Sequence, residues 1–159
     1  MTITLDGRWF YEGSPIGRAS LVQLFASVLK REGDDYFLVT PVEKVGITVE
    51  DTPFLITQWR QEPDEETGST VFILTTQTGD EIRLAHPEQM ALRIPPKAIQ
   101  DTDATPIPYV CVRRNLWARL HQNVYYQLLE KAHEESTTDT TRFVLTSADT
   151  QFVIGEVSV

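Results

Sequence analysis

Between Tyr36 and Leu84 the chain passes through five short segments of strand character separated by turn residues, and this spacing constrains the fold more than any other feature. The segments are Tyr36 to Thr40, Val45 to Glu50, Phe54 to Trp59, Thr70 to Thr76 and Glu81 to Leu84. Ile47 and Val49 alternate with polar neighbours, as one face of a sheet requires. Thr78-Gly79-Asp80 is a turn leading into the last of them. Short turns between successive strands favour an antiparallel meander.

Ahead of the meander lie a strand candidate, Arg8 to Glu12, and a Gly/Pro-punctuated turn, Gly13-Ser14-Pro15-Ile16-Gly17. Then Leu21, Leu24, Phe25, Val28 and Leu29 recur at three- and four-residue spacing, which predicts an amphipathic helix over Ala19 to Lys30. Lys30-Arg31 suits its negative end and Gly33 its stop. A helix with one apolar stripe must bury it, so the first unit reads as a helix on an antiparallel sheet.

Residues 95–108 carry four prolines and few large apolar groups, the best domain boundary in the chain. Beyond it the pattern restarts. Tyr109 to Val112 reads as a strand, Asn115 as an N-cap, and Leu116 to Glu134 as a helix with Leu116, Leu120, Val124 and Leu128 on one face. Arg142 to Thr146 and Gln151 to Ile154 read as strands. Aligning Leu24, Val28 and Leu29 with Leu120, Val124 and Tyr125 suggests an internal repeat. The fold class expected is therefore α+β, with two repeated strand-helix-strand units: 1–94, then the 95–108 linker, then 109–159, whose sheet is completed by strands of the first unit.

A chain of 159 residues with 41% hydrophobic content needs no staple, because a body of this size buries roughly 70% of its unfolded surface. The single cysteine, Cys111, excludes an internal disulfide and reads as a buried small hydrophobe. The start, Met1 to Asp6, lacks the basic flank and apolar stretch of a signal peptide, and no apolar run is long enough to span a membrane, so a cytoplasmic protein without a membrane span is expected. The net charge of −9 argues against an extended nucleic-acid surface and leaves room for one anionic ligand in a local basic pocket. Glu62-Pro63-Asp64-Glu65-Glu66 reads as a solvated loop tip.

No phosphate-binding glycine loop and no nucleophile elbow is present, and His86, His121 and His133 are too scattered for a catalytic zinc. No cofactor and no metal is expected. Asp34-Asp35, Glu50-Asp51 and Glu134-Glu135 sit at element ends as solvated charges, and His121 reads as a partly buried packing residue.

The most suggestive pattern is basic residues beside helix starts: Arg18 before the first helix, Arg113 and Arg114 before the second. Helix N-termini already carry unpaired N–H groups, so cations there invite an anion, either a ligand's acidic group or an acidic side chain such as Glu12 or Glu43 across the units. Lys44, in Thr40-Pro41-Val42-Glu43-Lys44-Val45, would frame such a site with Arg113 if the two approach each other, and Thr76 would add a hydroxyl. Tyr125-Tyr126 places one ring in the core and leaves Tyr126 to stack on a partner.

The residues from Trp9 to Arg18 and Leu24 to Ser27, Thr40 to Val45, Thr76 with Gly79-Asp80, His86-Pro87, Pro108-Tyr109, Val112-Arg113 and Val124-Tyr125-Tyr126 together resemble the bacterial family called domain of unknown function 1285. The resemblance implies a duplicated core, a C-terminal unit like a pleckstrin-homology fold, and a site between the units for a nucleotide-like molecule with a role in signalling. The function expected is a non-catalytic ligand-binding or sensory protein using Arg18, Glu43, Lys44, Thr76, Arg113, Arg114 and Tyr126. The alternative is a protein-interaction module using a sheet edge or the Tyr126 side. Third comes an enzyme acting on a nucleotide or phosphoester, with Glu43 as base.

Overall fold

The computed structural model describes residues 1–99 and 105–158; residues 100–104 of the proline-rich stretch, and Val159, lie outside the described residues. The chain begins with three short strands, β1 (Thr2–Ile3), β2 (Trp9–Tyr11) and β3 (Ser14–Pro15), then the helix α1 (Ala19–Ser27) and a second set, β4 (Leu29–Glu32), β5 (Asp35–Val39) and β6 (Lys44–Val49). Next come β7 (Phe54–Pro63), β8 (Thr70–Thr76), β9 (Glu81–Arg83), a 3-10 turn at Pro87–Gln89, β10 (Met90–Arg93), β11 (Ile107–Arg113) and β12 (Leu116–Leu120). The helix α2 (Gln122–Lys131) precedes β13 (His133–Ser136), β14 (Thr140–Ser147) and β15 (Thr150–Ser158).

The fold is α+β and dominated by sheet. The first sheet has the order β3-β2-β1-β6-β5-β4, and the second β10-β11-β12-β7-β8-β9. Read from its other edge, the second sheet repeats the order of the first: two antiparallel meanders joined by a parallel pair of first and last strands. That pair is β1 with β6, matching Ile3 to Val49, and β7 with β12, matching Leu55 to Arg119. The third sheet, β13-β14-β15, is antiparallel throughout. The similarity therefore lies between residues 2–49 and 54–120, and α2 with the last three strands follows it. In the second sheet the place of α1 is taken by the 3-10 turn.

This departs from strand-helix-strand units with one helix each. Leu116–Leu120 is a strand because it is buried on nearly every side against β7 and β11, and a short run apolar on both faces has no period that separates strand from helix. Arg113-Arg114-Asn115 is consequently a hairpin turn, with Arg114 at φ +52°, and not a helix start. His121, rather than Asn115, caps α2: its Nδ1 accepts the Asn123 N–H at 3.1 Å. Likewise α1 ends at Ser27, since Leu29 to Glu32 pair with Leu38 to Asp35 around the Gly33-Asp34 turn. Gly33, at φ +60°, turns a hairpin there instead of ending a helix. The proline-rich stretch connects β10 to β11, which lie side by side in the second sheet.

One apolar cluster runs through both repeats. Ile3, Trp9, Ala26, Leu29 and Leu38 pack in the same core as Phe54, Leu74, Val110, Leu120 and Ile154. The β14–β15 turn is tied in by Ser147, fully buried, whose Oγ accepts the Phe72 N–H at 2.8 Å and donates to the Leu84 carbonyl at 2.6 Å. Asp64 is buried too, bonded to the Thr67 hydroxyl and the Arg83 guanidinium, so the acidic stretch around it is not wholly a solvated tip.

Candidate functional site

Where the first repeat meets the second, polar side chains reach across in both directions. Gln77 accepts the Leu55 N–H and donates to the carbonyls of Gly7 and Pro53. Gly7 sits at φ +78°, and a Cβ there would come within 3.2 Å of Leu55 and 3.1 Å of the Gln77 amide, so the approach needs glycine. Arg31 Nη1 donates to the Asn115 carbonyl, and Asn115 Nδ2 returns a bond to the Arg31 carbonyl, each at 3.2 Å.

Two arginines hold the ends of this seam. The hairpin turn that the sequence disguises as a helix start aims Arg113 at the far end of α1. Its Nη2 donates to the Ala26 carbonyl at 2.6 Å, its Nη1 to Asp80 Oδ1 at 3.0 Å, and its guanidinium lies 5.1 Å from the Phe54 ring centre. A cation at a helix C-terminus is favourably placed. The Asp80 carboxylate also takes the Thr78 hydroxyl at 2.6 Å and the Thr76 hydroxyl at 3.1 Å. Arg113 thus finds its acidic partner, Asp80, within its own repeat rather than in Glu12 or Glu43 across the units, and it crosses to the first repeat through the Ala26 carbonyl of α1. A hollow of about 360 Å³ opens beside it, lined by Gln23, Ser27, Thr78, Asp80 and Arg113. The acidic partner already present there is Asp80.

Arg119, on β12, holds the other end. It is nine-tenths buried, donating through Nη2 to the Leu5 carbonyl at 2.6 Å and through Nη1 to Asp51 Oδ2 at 3.1 Å. Tyr109 donates its hydroxyl to the same Asp51 oxygen at 2.9 Å, and burial with the Asp51 charge pushes its pKa well above the usual tyrosine value. Asp51 is therefore a working partner and not a solvated element end. Beside Arg119 opens the larger hollow, about 570 Å³. Leu5 and Leu55 form apolar wall, and His121, Tyr125 and Tyr126 line the rim. His121 is exposed and not packed in the core, and because its Nδ1 accepts a backbone N–H, the neutral ring carries its proton on Nε2. Tyr125 is partly buried, its hydroxyl on the Ile154 carbonyl at 2.8 Å, while Tyr126 is about half exposed.

The seven residues chosen from the sequence do not meet in one place. Thr76 and Arg113 converge through Asp80. Lys44 pairs with Glu32 at 2.7 Å and lies 4.4 Å from the Phe37 ring centre, sharing no partner with Arg113 among the described residues. Glu43 is exposed in the β5–β6 turn, its N–H and carbonyl engaged by Thr40. Arg18 is exposed at the N-terminus of α1 and makes no side-chain cap. Arg114 is exposed, its carbonyl accepting the Cys111 thiol at 3.2 Å, and burial raises the Cys111 pKa. Tyr126 alone lines the larger hollow. Sequence reasoning missed Arg119, Asp51 and His121, because the first lies inside an apparent helix and the second beside Glu50 at an apparent loop. Among the described residues no group of His, Cys, Asp and Glu is arranged to hold a metal, and no helix is long and apolar enough to cross a membrane.

The family model for the N-terminal domain of domain of unknown function 1285 matches residues 1–52, and that for the C-terminal domain of the same family matches 53–154. The chain belongs to the DUF1285 family. The two matched segments divide where the first sheet ends and the second begins. A crystal structure of a DUF1285 family protein from Silicibacter pomeroyi DSS-3 is 35% identical, covering 99% of this chain and 80% of that one with a TM-score of 0.79. Another, from Shewanella baltica OS155, is 30% identical and covers 81% of this chain and 89% of that one with a TM-score of 0.61. No curated protein matches the chain.

Proposed function

We propose that this DUF1285 protein binds a small anionic, nucleotide-like molecule without catalysis, in the larger hollow between its two segments, and signals the occupancy through the contacts that join them. The observation carrying this reading is that the hollow is shared: Leu5 and Asp6 come from the N-terminal segment, Arg119, His121 and Tyr126 from the C-terminal one. Its volume of about 570 Å³ suits a metabolite, since small-molecule sites span roughly 300–1,000 Å³. A ligand touching both sides shifts the population toward the arrangement it binds better. We read the C-terminal segment as pleckstrin-homology-like, on the support of its antiparallel strands and the helix packed against β7.

A thermal-shift screen against nucleotides, sugar phosphates and other metabolites tests the function. A true ligand at a hundredfold excess over its dissociation constant adds about 2.7 kcal/mol, which raises the melting temperature of a chain this long by roughly 5–10 °C. Tyr126→Ala, which removes an exposed ring, should erase the shift. A flat screen on folded protein refutes the reading.

One observation favours a second reading, an interaction module: β15 pairs only with β14 among the described strands, leaving a long strand edge with Val157 exposed. Co-purification of a stoichiometric protein partner, lost when a proline is placed in β15, would support it.

A further inference from the structure

The charges around the larger hollow narrow the ligand further, an inference that rests on the small-molecule reading above. Among the described residues, the acidic and basic side chains lining it are Asp6, Arg119 and His121. Asp6 faces Arg8, with Nε and Oδ2 2.9 Å apart. Arg119 brings the one guanidinium, and Asp51 behind it already compensates part of that charge. Two of its five N–H donors go to Asp51 and the Leu5 carbonyl, which leaves the rest of the fork for an acidic group in the hollow. The N-terminus of α2 opens onto the same space through His121 and Gln122 and adds partial positive charge.

This supply matches a single negative charge. A terminal phosphate carries about −1.5 to −2 at neutral pH, and a di- or triphosphate more, against one half-compensated cation and with Asp6 at the rim. Apart from Thr105 and Gln122, the rest of the described wall is apolar or aromatic, with Tyr126 presenting a half-exposed ring and ring stacking tolerant of any planar partner. We propose that the ligand is a mono-anion bearing a flat ring. Its acidic group lies against Arg119 and the start of α2, and its ring lies against Tyr126. Two sources share that chemistry: a phosphodiester such as a cyclic mononucleotide, and an aromatic carboxylate.

Isothermal titration of the full chain at fixed ionic strength separates them. The probes are 3′,5′-cyclic AMP, 3′,5′-cyclic GMP and indole-3-acetate, with adenosine, AMP and ATP as charge controls. The expected result is binding by a cyclic nucleotide or by the carboxylate, with the matched polyphosphate at least about tenfold weaker. Tyr126→Ala should weaken that binding more than about tenfold while melting like the parent. Arg119→Lys, checked for an unchanged circular dichroism spectrum, should weaken the anion and leave any residual adenosine binding alone. Binding of ATP as tight as that of the cyclic nucleotide, sensitive to Tyr126→Ala, overturns the single-charge inference and leaves the shared-hollow reading standing. Equal binding of adenosine and cyclic AMP overturns the role of the anion. No binding by any probe overturns the inference outright, and the wider thermal-shift screen then decides separately whether the hollow takes any ligand.

Discussion

Replacing Arg113 with alanine removes three interactions at once, and the structure allows their sizes to be set apart. The guanidinium over the Phe54 ring, 5.1 Å from its centre, contributes about 0.5–1 kcal/mol. The pair with Asp80 is about one-third exposed on each side, so solvent holds its worth to roughly 0–1 kcal/mol. The bond to the Ala26 carbonyl, at 2.6 Å, is charge-assisted and contributes about 1.5–3 kcal/mol. The lower end applies, because the Val28 N–H also reaches that carbonyl and keeps it partly satisfied. Asp80 keeps the hydroxyls of Thr76 and Thr78, so no naked charge is left behind. The expected loss is about 2–3 kcal/mol, or roughly 4–12 °C in melting temperature for a chain of this length, read by calorimetry and by urea unfolding at constant m. Arg113→Lys keeps a charge for Asp80 without the second arm and should lose an intermediate amount. A double-mutant cycle with Asp80→Asn should give a coupling no larger than about 1 kcal/mol. A melt of Arg113→Ala within about 1 °C of the parent would show that the latch carries no stability, and would return Arg113 to the list of residues free to hold a ligand.

Ser147→Ala should destabilise by about 2–4 kcal/mol, since it strands the Phe72 N–H and the Leu84 carbonyl in a dry site; urea unfolding reads the change, and near-parental stability would mean that water replaces the hydroxyl. At high pH the folded Tyr109 keeps its proton more tightly than the unfolded chain does, because burial and Asp51 raise its pKa. Stability should therefore be intact below about pH 10 and fall as pH rises past it, with Tyr109→Phe flattening that limb in calorimetric pH scans. Asp64 has the opposite sign: the Thr67 hydroxyl and then Arg83 hold its pKa down, so its contribution is present above about pH 4 and lost as pH falls through the folded value. Asp64→Asn should be less stable at neutral pH and show a shallower acid limb, while a parallel acid limb would assign the loss to other carboxylates.

The five strand segments were legible because their signals are local, but they do not form one meander. β5 and β6 belong to the first sheet and β7 to β9 to the second, with β6 and β7 paired instead, in parallel, to β1 and β12. Thr78-Gly79-Asp80 is both the turn and its own sequence signature, and strands β5 to β9 fall close to the segments read from Tyr36 to Leu84. Both helices were found, but each with a strand fused to it. Leu29 to Glu32 continues the apolar spacing of α1, and Leu116 to Leu120 anticipates that of α2; in both cases pairing with a distant strand overrode local pattern. That error displaced the repeat. The sequence alignment matched Leu120 with Leu24, whereas the strand orders match β12 with β6. It also mispriced the arginines. Arg113 and Arg114 read as cations at a helix start when they occupy a hairpin turn, and Arg119, hidden in the supposed helix, is the guanidinium that lines the larger hollow. What makes these residues a cluster is pairing between strands more than sixty positions apart, and no window along the chain carries it.

The way the two segments are joined limits how a ligand in the larger hollow can act. Their apolar side chains form one core, from Ile3 and Trp9 through Phe54 and Leu74 to Leu120, and the arginine and glutamine bonds of the seam lie over it. Swinging one segment away from the other would expose that core and break the charge-assisted bonds together. The coupling free energy of a small ligand is typically about 1–3 kcal/mol, too little for both. A response must instead pass through an element whose rearrangement leaves the core closed. The loop holding Leu5, between β1 and β2, meets this condition: its carbonyl is held by Arg119 Nη2, the same guanidinium that an anion in the hollow would engage. An acidic group that drew Arg119 toward itself would free the Leu5 carbonyl while Glu50 kept the Leu5 N–H and Asp51 kept the β6–β7 connection in place, confining the change to the N-terminal loop.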